Sequence, residues 1–286
     1  MRHRIDPLIK ERAPWLFKDG IAHRAARSVL NRGLSYDETV KVATQLQGLD
    51  TADIMAAMFQ RIGKEVSVSG LENLPRQGAA LIVANHPTGI ADGIMLHGLI
   101  AQMRPDAYFF ANKDILRVMP QMENMIAPVE WRKDQRSHGK TRETMSYLRK
   151  AVAEDRLGVI FPSGRLAKRR GLRLFERPWM GSAAMLARKF KLPVIPVNIR
   201  ARNSAMFYLF DLIHPTLRDV TLFHETLNKA KQPYSVTIGE AISPSALPDK
   251  TEDGIALLRK ATLDLGDETG AQTVSLVKTS RRLLWS

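Results

Sequence analysis

Asn85-His86-Pro87-Thr88-Gly89-Ile90-Ala91-Asp92-Gly93 holds the most reactive combination of side chains in this 286-residue chain. An imidazole titrates near neutrality and can take a proton from a hydroxyl. A carboxylate on its far nitrogen fixes the tautomer and stabilises the imidazolium. His86 and Asp92 supply both groups in one glycine-containing segment. Three other segments carry groups suited to anions or to a polarised carbonyl: Lys113 in Asn112-Lys113-Asp114, Arg132 in Val129-Glu130-Trp131-Arg132, and the turn Phe161-Pro162-Ser163-Gly164-Arg165. An arginine's planar fork matches phosphate, and a sharp turn presents backbone N–H groups. Ser163 has no Gly-x-Ser-x-Gly setting, so a nucleophile elbow is not indicated.

These groups need a frame. The apolar run Ala79–Ala84 reads as a buried strand and Ile94–Ile100 as part of a helix, so His86 stands where a strand hands over to a helix. Ligands of open α/β sheets bind at such points. Further strands are read at Tyr108–Phe110, Met125–Val129, Gly158–Phe161, Pro193–Val197 and Tyr234–Ile238, with helices near 92–104, 140–154 and 183–190 between them. The alternation argues for an α/β fold with a mixed, largely parallel sheet flanked by helices. Pro193 and Pro196 place their strand at an edge, or start it at Pro193. Residues 1–63 read as an N-terminal helical cap. There Ser35 and Glu38 fit a capping box, and Asp50 opens a helix that Gly63 stops. The expected division is 1–63, an α/β domain over 64–245, and a helix with a basic tail over 246–286, with 242–251 as a linker.

Composition narrows the partners. No cysteine is present, which excludes disulfides and thiolate metal sites. His3, His23, His138, His214 and His224 lack metal-ligand spacing, and His97 sits in an apolar stretch as a core or helix-surface histidine, so no metal is expected. The start, Met1–Pro7, has no apolar core after its charges, which argues against a signal peptide. No run reaches the roughly 18 apolar residues of a membrane span. Lys and Arg exceed Asp and Glu by 43 to 29, a net +14 that calls for an anionic partner. Zinc-finger spacing and RNP-like aromatic runs are missing, so nucleic acid is not expected.

Read together and in order, the His86 turn, the Arg132 segment, Phe161–Arg165 and the apolar wall Val194–Val197 resemble the glycerolipid acyltransferase family, which includes lysophosphatidic acid acyltransferases. The resemblance spans about 170 residues, Gly70 to Glu240. It departs from the family in two places. Five residues, not four, separate His86 from Asp92. On a helix at about 100° per residue this would turn the carboxylate off the histidine's face, but Pro87 and Gly89 argue for an irregular turn that brings the two together. This longer spacing is similar to a bacterial haemolysin-like branch. In the third motif the family has Phe-Pro-Glu-Gly-Thr-Arg, whereas here Ser163 replaces the glutamate and Arg165 follows the glycine at once.

What the resemblance implies is direct acyl transfer. His86 takes the proton of a lysolipid hydroxyl, Asp92 orients the ring, and the oxygen attacks the thioester of acyl-CoA or acyl-carrier protein with no further cofactor. Asn85, Gly89, Lys113, Arg132, Ser163, Gly164 and Arg165 are the candidate substrate contacts. Backbone N–H groups of the His86 turn or near Ser163–Gly164 are the candidate oxyanion donors. A lipid acceptor implies work at an anionic membrane surface, and so a peripheral, cytoplasmic location. The N-terminal helices, segment 166–180 and the tail ending in Trp285 are the candidate contacts. Two other classes remain open: an acyl-thioester hydrolase using the same pair, and a non-catalytic basic protein that binds membrane or nucleic acid.

Overall fold

The computed structural model describes residues 1–130, 137–213, 215–266 and 276. Seven strands build the main sheet: β1 (Val66–Ser69), β2 (Ala80–Ala84), β3 (Tyr108–Asn112), β4 (Ile126–Val129), β5 (Leu157–Ile160), β8 (Val194–Arg200) and β9 (Tyr234–Ile238). Their order is β1-β9-β8-β2-β5-β3-β4. The five strands from β8 to β4 run parallel, whereas β9 is antiparallel to β8 and parallel to β1. The protein is thus α/β with a mixed, largely parallel sheet. A separate antiparallel hairpin joins β6 (Lys168–Arg170) to β7 (Arg173–Phe175).

Helices cover both faces, which is why the central strands are continuous apolar runs. Ile82 and Ala84 of β2 face a cluster that includes α1 (Arg2–Arg12), α3 (Tyr36–Leu46), α4 (Thr51–Ile62) and α5 (Ile90–Ile100). Leu81 and Val83 face the opposite cluster, with α7 (His138–Ala153), α8 (Ser182–Phe190) and α12 (Thr251–Asp264). The N-terminal helices, α2 (Ile21–Gly33) among them, precede the first strand. Asp50 caps α4 by accepting from Asp53 N at 2.9 Å, and Gly63 N closes it on Phe59 O.

Several local expectations are corrected. Ser35 does not form a capping box with Glu38. It adopts a left-handed conformation (φ 52°), its hydroxyl meets His224 Nδ1 at 3.2 Å, and Glu38 pairs with Arg61. Pro196 lies inside β8, a central strand and not an edge. A proline is tolerated there because β9 pairs only with Val197–Arg200, so the missing N–H falls beyond its end, and the Pro196 carbonyl still accepts from Gly239 N. Segment 242–251 is packed and does not act as a linker. Ile242 exchanges two backbone hydrogen bonds with Val194, Leu247 is buried, and Arg188 holds Pro248 O at 2.9 Å. Between β8 and β9 lie three short helices absent from the sequence reading: α9 (Ala205–Ile213), α10 (Pro215–Val220) and α11 (Leu222–Leu227).

The parallel strands gather the candidate residues at one sheet edge. His86 follows the end of β2, Lys113 the end of β3, Glu130 the end of β4, and Ser163 and Arg165 the end of β5. Short α6 (Asp114–Val118) leaves the same edge after Lys113.

Candidate active site

The turn after β2 is clamped on every side. Asn85 extends the sheet by one residue with its side chain: Nδ2 donates to Ile199 O at 2.8 Å and Oδ1 accepts from Ile199 N at 2.7 Å. The amide expected at the substrate thus joins two strands. The His86 carbonyl accepts from Ala167 N at 2.9 Å, its backbone N donates to Glu176 Oε2 at 3.2 Å, and its ring stacks on Phe161 with centroids 4.3 Å apart. Gly89 has φ +95° and ψ −132°, a conformation that side-chain-bearing residues avoid. A Cβ there would lie 3.1 Å from Leu166 Cδ2. Gly89→Ala is expected to cost about 1–3 kcal/mol of stability and to lower activity by shifting His86. Thermal melting alongside a thioester-release assay checks both.

The turn wraps one carboxylate. Asp92 occupies the first turn of α5 with no exposed surface. Its Oδ2 accepts from Thr88 N at 2.9 Å and Gly89 N at 3.0 Å, and lies 2.9 Å from His86 Nδ1, off the line of that nitrogen's N–H bond. Its Oδ1 accepts from Thr88 Oγ1 at 2.5 Å and from Tyr234 Oη at 2.7 Å. Burial alone would push this carboxyl up. The contacts from His86, Thr88 and Tyr234 outweigh burial and hold it below the usual carboxylate range. The five-residue spacing is accommodated because Pro87–Gly89 is not helical: the turn folds back over the helix start and sets His86 above Asp92. The His86 side chain keeps 19% of its surface, so the ring is reachable from outside.

A second buried carboxylate lies behind the turn. Glu176 accepts from His86 N through Oε2 and from Trp179 Nε1 at 2.9 Å through Oε1. Burial pushes its carboxyl up, against the pull of these donors. Such a group binds its proton more tightly folded than unfolded. The stability it lends is complete at acid pH and is lost as pH rises through its titration. Glu176→Gln is therefore expected to flatten the fall of thermal midpoint above the ordinary glutamate range. Glu176→Ala, which strands two donors, is expected to cost about 1–3 kcal/mol per donor. Melting curves across pH on the three proteins check this.

The other candidates are placed unevenly. Ser163 is buried and its Oγ donates to Arg165 O at 2.8 Å. Gly164 (φ +59°) closes the turn through its N–H on Phe161 O. Arg165 is exposed and has no carboxylate partner among the described residues. Lys113 is exposed and pairs with Glu143 at 2.8 Å, two strand spacings, about 10 Å, from β2. Arg132 lies outside the described residues, as do Arg281, Arg282 and Trp285. Of the candidate oxyanion donors, the N–H groups of His86, Thr88, Gly89 and Gly164 are already held by Glu176, Asp92 and Phe161 O.

Thr88, Tyr234 and Glu176 were not singled out in the sequence. Tyr234 carries no local signal, being 142 residues from Asp92. Glu176 does carry one, as the sole acidic residue between Ser163 and Met180, amid six Lys and Arg. His97 is buried in the core, 6.3 Å from the Phe109 ring, and burial lowers its pKa. No group of three or more His, Asp or Glu able to hold a metal occurs among the described residues, and no helix there is long and apolar enough to cross a membrane.

The family model described as Acyltransferase matches residues 65–200. The chain is similar to the lyso-glycine lipid O-acyltransferase of Phocaeicola vulgatus, at 24% identity over 206 residues, 70% of this chain and 72% of that protein. It is likewise similar to the enzyme of the same name from Bacteroides thetaiotaomicron, at 22% over 204 residues, 71% and 72% of the two chains. A solved structure, the 1-acyl-sn-glycerophosphate (LPA) acyltransferase from Thermotoga maritima, superposes with TM-score 0.49 and 14% identity over 85% of this chain and 95% of that one.

Proposed function

We propose, from the match of residues 65–200 to the acyltransferase family model, that the chain moves a fatty acyl group from a phosphopantetheine thioester, acyl-CoA or acyl-carrier protein, onto a hydroxyl of an anionic lysolipid. The observation that carries this reading is His86 Nδ1 set against buried Asp92, with part of the ring open to substrate. With Nδ1–H turned to the carboxylate, Nε2 is the basic nitrogen. It takes the acceptor's hydroxyl proton as oxygen attacks the thioester carbon. The C–S bond then breaks, and the leaving thiolate takes the proton back from the imidazolium. Asp92 stabilises that imidazolium, and the off-axis contact tightens as its charge develops. No acyl-enzyme and no cofactor are required.

The roles of the neighbours follow from what each touches. Phe161, Asn85, Thr88, Tyr234 and Glu176 hold the ring and its carboxylate, so they are positioning residues. Arg165, exposed and without a carboxylate partner among the described residues, is the cation proposed to meet the anionic part of donor or acceptor. The name of the similar O-acyltransferases makes a lyso-glycine lipid the first acceptor to test, and the motif resemblance makes lysophosphatidic acid the second. A lipid acceptor puts the reaction at a membrane surface. Mass spectrometry of products after incubation with acyl-CoA or acyl-carrier protein and these two lysolipids decides the matter. A diacylated product supports the reading, release of free fatty acid alone makes the protein a thioester hydrolase, and an intact thioester rejects both.

A further inference from the structure

Helix α9 is apolar all round. Its nine residues, Ala-Met-Phe-Tyr-Leu-Phe-Asp-Leu-Ile, contain one charge, Asp211, which Arg218 meets at 3.0 Å. The inner face is filled: Phe207 and Tyr208 are buried with Leu174 of β7, flanked by Leu166 and Leu222. The outer face carries Leu209, Leu212 and Ile213, exposed at 54%, 66% and 62%. The spacing i, i+3, i+4 puts them on one stripe. Scattered apolar residues need no explanation, but a contiguous stripe on a helix whose other side is already packed does.

The hairpin that packs on α9 through Leu174 has the matching chemistry. Its tip is Leu172, 65% exposed, set in Lys168-Arg169-Arg170-Gly171-Leu172-Arg173. Lys168, Arg170 and Arg173 are exposed and have no carboxylate partner among the described residues. The hairpin adjoins the candidate site, since Ala167, just before β6, holds the His86 carbonyl, and α9 packs on Leu166 and Leu222, which stand against Gly89.

We infer that the outer stripe of α9 and the cationic hairpin with its leucine tip are the surface by which this protein docks on an anionic lipid bilayer. The inference rests on the lipid acceptor proposed above and names the face through which that acceptor arrives. Apolar side chains enter the acyl boundary while Lys and Arg meet the headgroups. A second copy of the chain fits less well, since a symmetric pair would bring the same uncompensated cations together.

The test is co-sedimentation with vesicles of phosphatidylglycerol in phosphatidylcholine, against phosphatidylcholine alone. Wild type is expected to bind the first and not the second, with binding weakened by salt. The variant Leu209→Ser, Leu212→Ser, Ile213→Ser changes only exposed side chains and is expected to melt like wild type. It should lose at least about tenfold in binding. Arg170→Glu with Arg173→Glu should erase the preference for the anionic lipid. Transfer to acceptor presented in vesicles should fall with binding in the serine variant, while transfer to the same acceptor in detergent micelles stays unchanged. Unaltered vesicle binding by the serine variant overturns the inference, as does wild type that binds no vesicles. A wild type that is dimeric in solution and made monomeric by the serine variant also overturns it, assigning the stripe to self-association. Vesicle binding without acyl transfer in either presentation would instead reject the proposed reaction and leave the docking surface standing.

Discussion

His86→Ala is expected to lower acyl transfer by about 10²- to 10⁴-fold, the range a positioned general base contributes, while the protein melts close to wild type. The second half of that expectation comes from what the side chain does and does not hold. The clamps on this residue are mostly backbone: its carbonyl takes Ala167 N and its own N–H goes to Glu176. Alanine keeps both. Lost are the stack on Phe161 and the off-axis contact with Asp92. That carboxylate keeps Thr88 N, Thr88 Oγ1, Gly89 N and Tyr234 Oη. Rate and fold therefore separate. Initial rates of thiol release at saturating acceptor, paired with thermal melting, check this. A variant that keeps wild-type kcat removes the general base from the mechanism, and one that unfolds shifts the question to His86→Gln, which retains a polar side chain.

Strands and their faces were legible because burial on two sides leaves an unbroken apolar run, as in Ala80–Ala84. The pairing of His86 with Asp92 was half legible. Spacing along an ideal helix argues against it, and only the positive φ of Gly89, which glycine permits, bends the turn back. Asn85 shows the opposite case. A polar residue beside a histidine reads as a ligand contact, yet its amide stands in for a peptide between β2 and β8. Such mimicry leaves no mark on composition or period. Nor does α9: a helix apolar on both sides has no amphipathic signal, so the segment from β8 to β9 was silent. The carboxylate at 176 has a physical logic visible only in three dimensions. The Ser163 hydroxyl is spent on Arg165 O, and the chain returns through the β6–β7 hairpin to supply Glu176 to the backbone of His86.

Asp92→Asn should separate the electrostatic role of the carboxylate from its structural one. Two N–H donors and the off-axis His86 Nδ1 meet Oδ2, and two hydroxyls meet Oδ1. An asparagine oriented with its oxygen at the Oδ2 position keeps the contacts with Thr88 N, Gly89 N and His86, and its NH₂ faces Thr88 and Tyr234, whose hydroxyls can turn to accept. The fold is thus expected to survive with a loss of about 1–3 kcal/mol. Asp92→Ala strands every donor and is expected to fold poorly. Catalysis fares worse than stability in Asp92→Asn, because the neutral amide no longer stabilises the imidazolium. A fall in kcat of about 10³- to 10⁴-fold is expected, the scale seen when a histidine's orienting carboxylate becomes an amide, with KM little changed. The pH dependence carries its own sign. Asp92 is held below the ordinary carboxylate range in the fold, so the stability it contributes is present above that range and is lost as pH falls through it. The asparagine variant lacks this titrating contribution, so its thermal midpoint should fall less steeply than wild type on acidification. Wild-type kcat in Asp92→Asn would show that the buried charge plays no part in the transition state and leave the carboxylate a purely architectural hub.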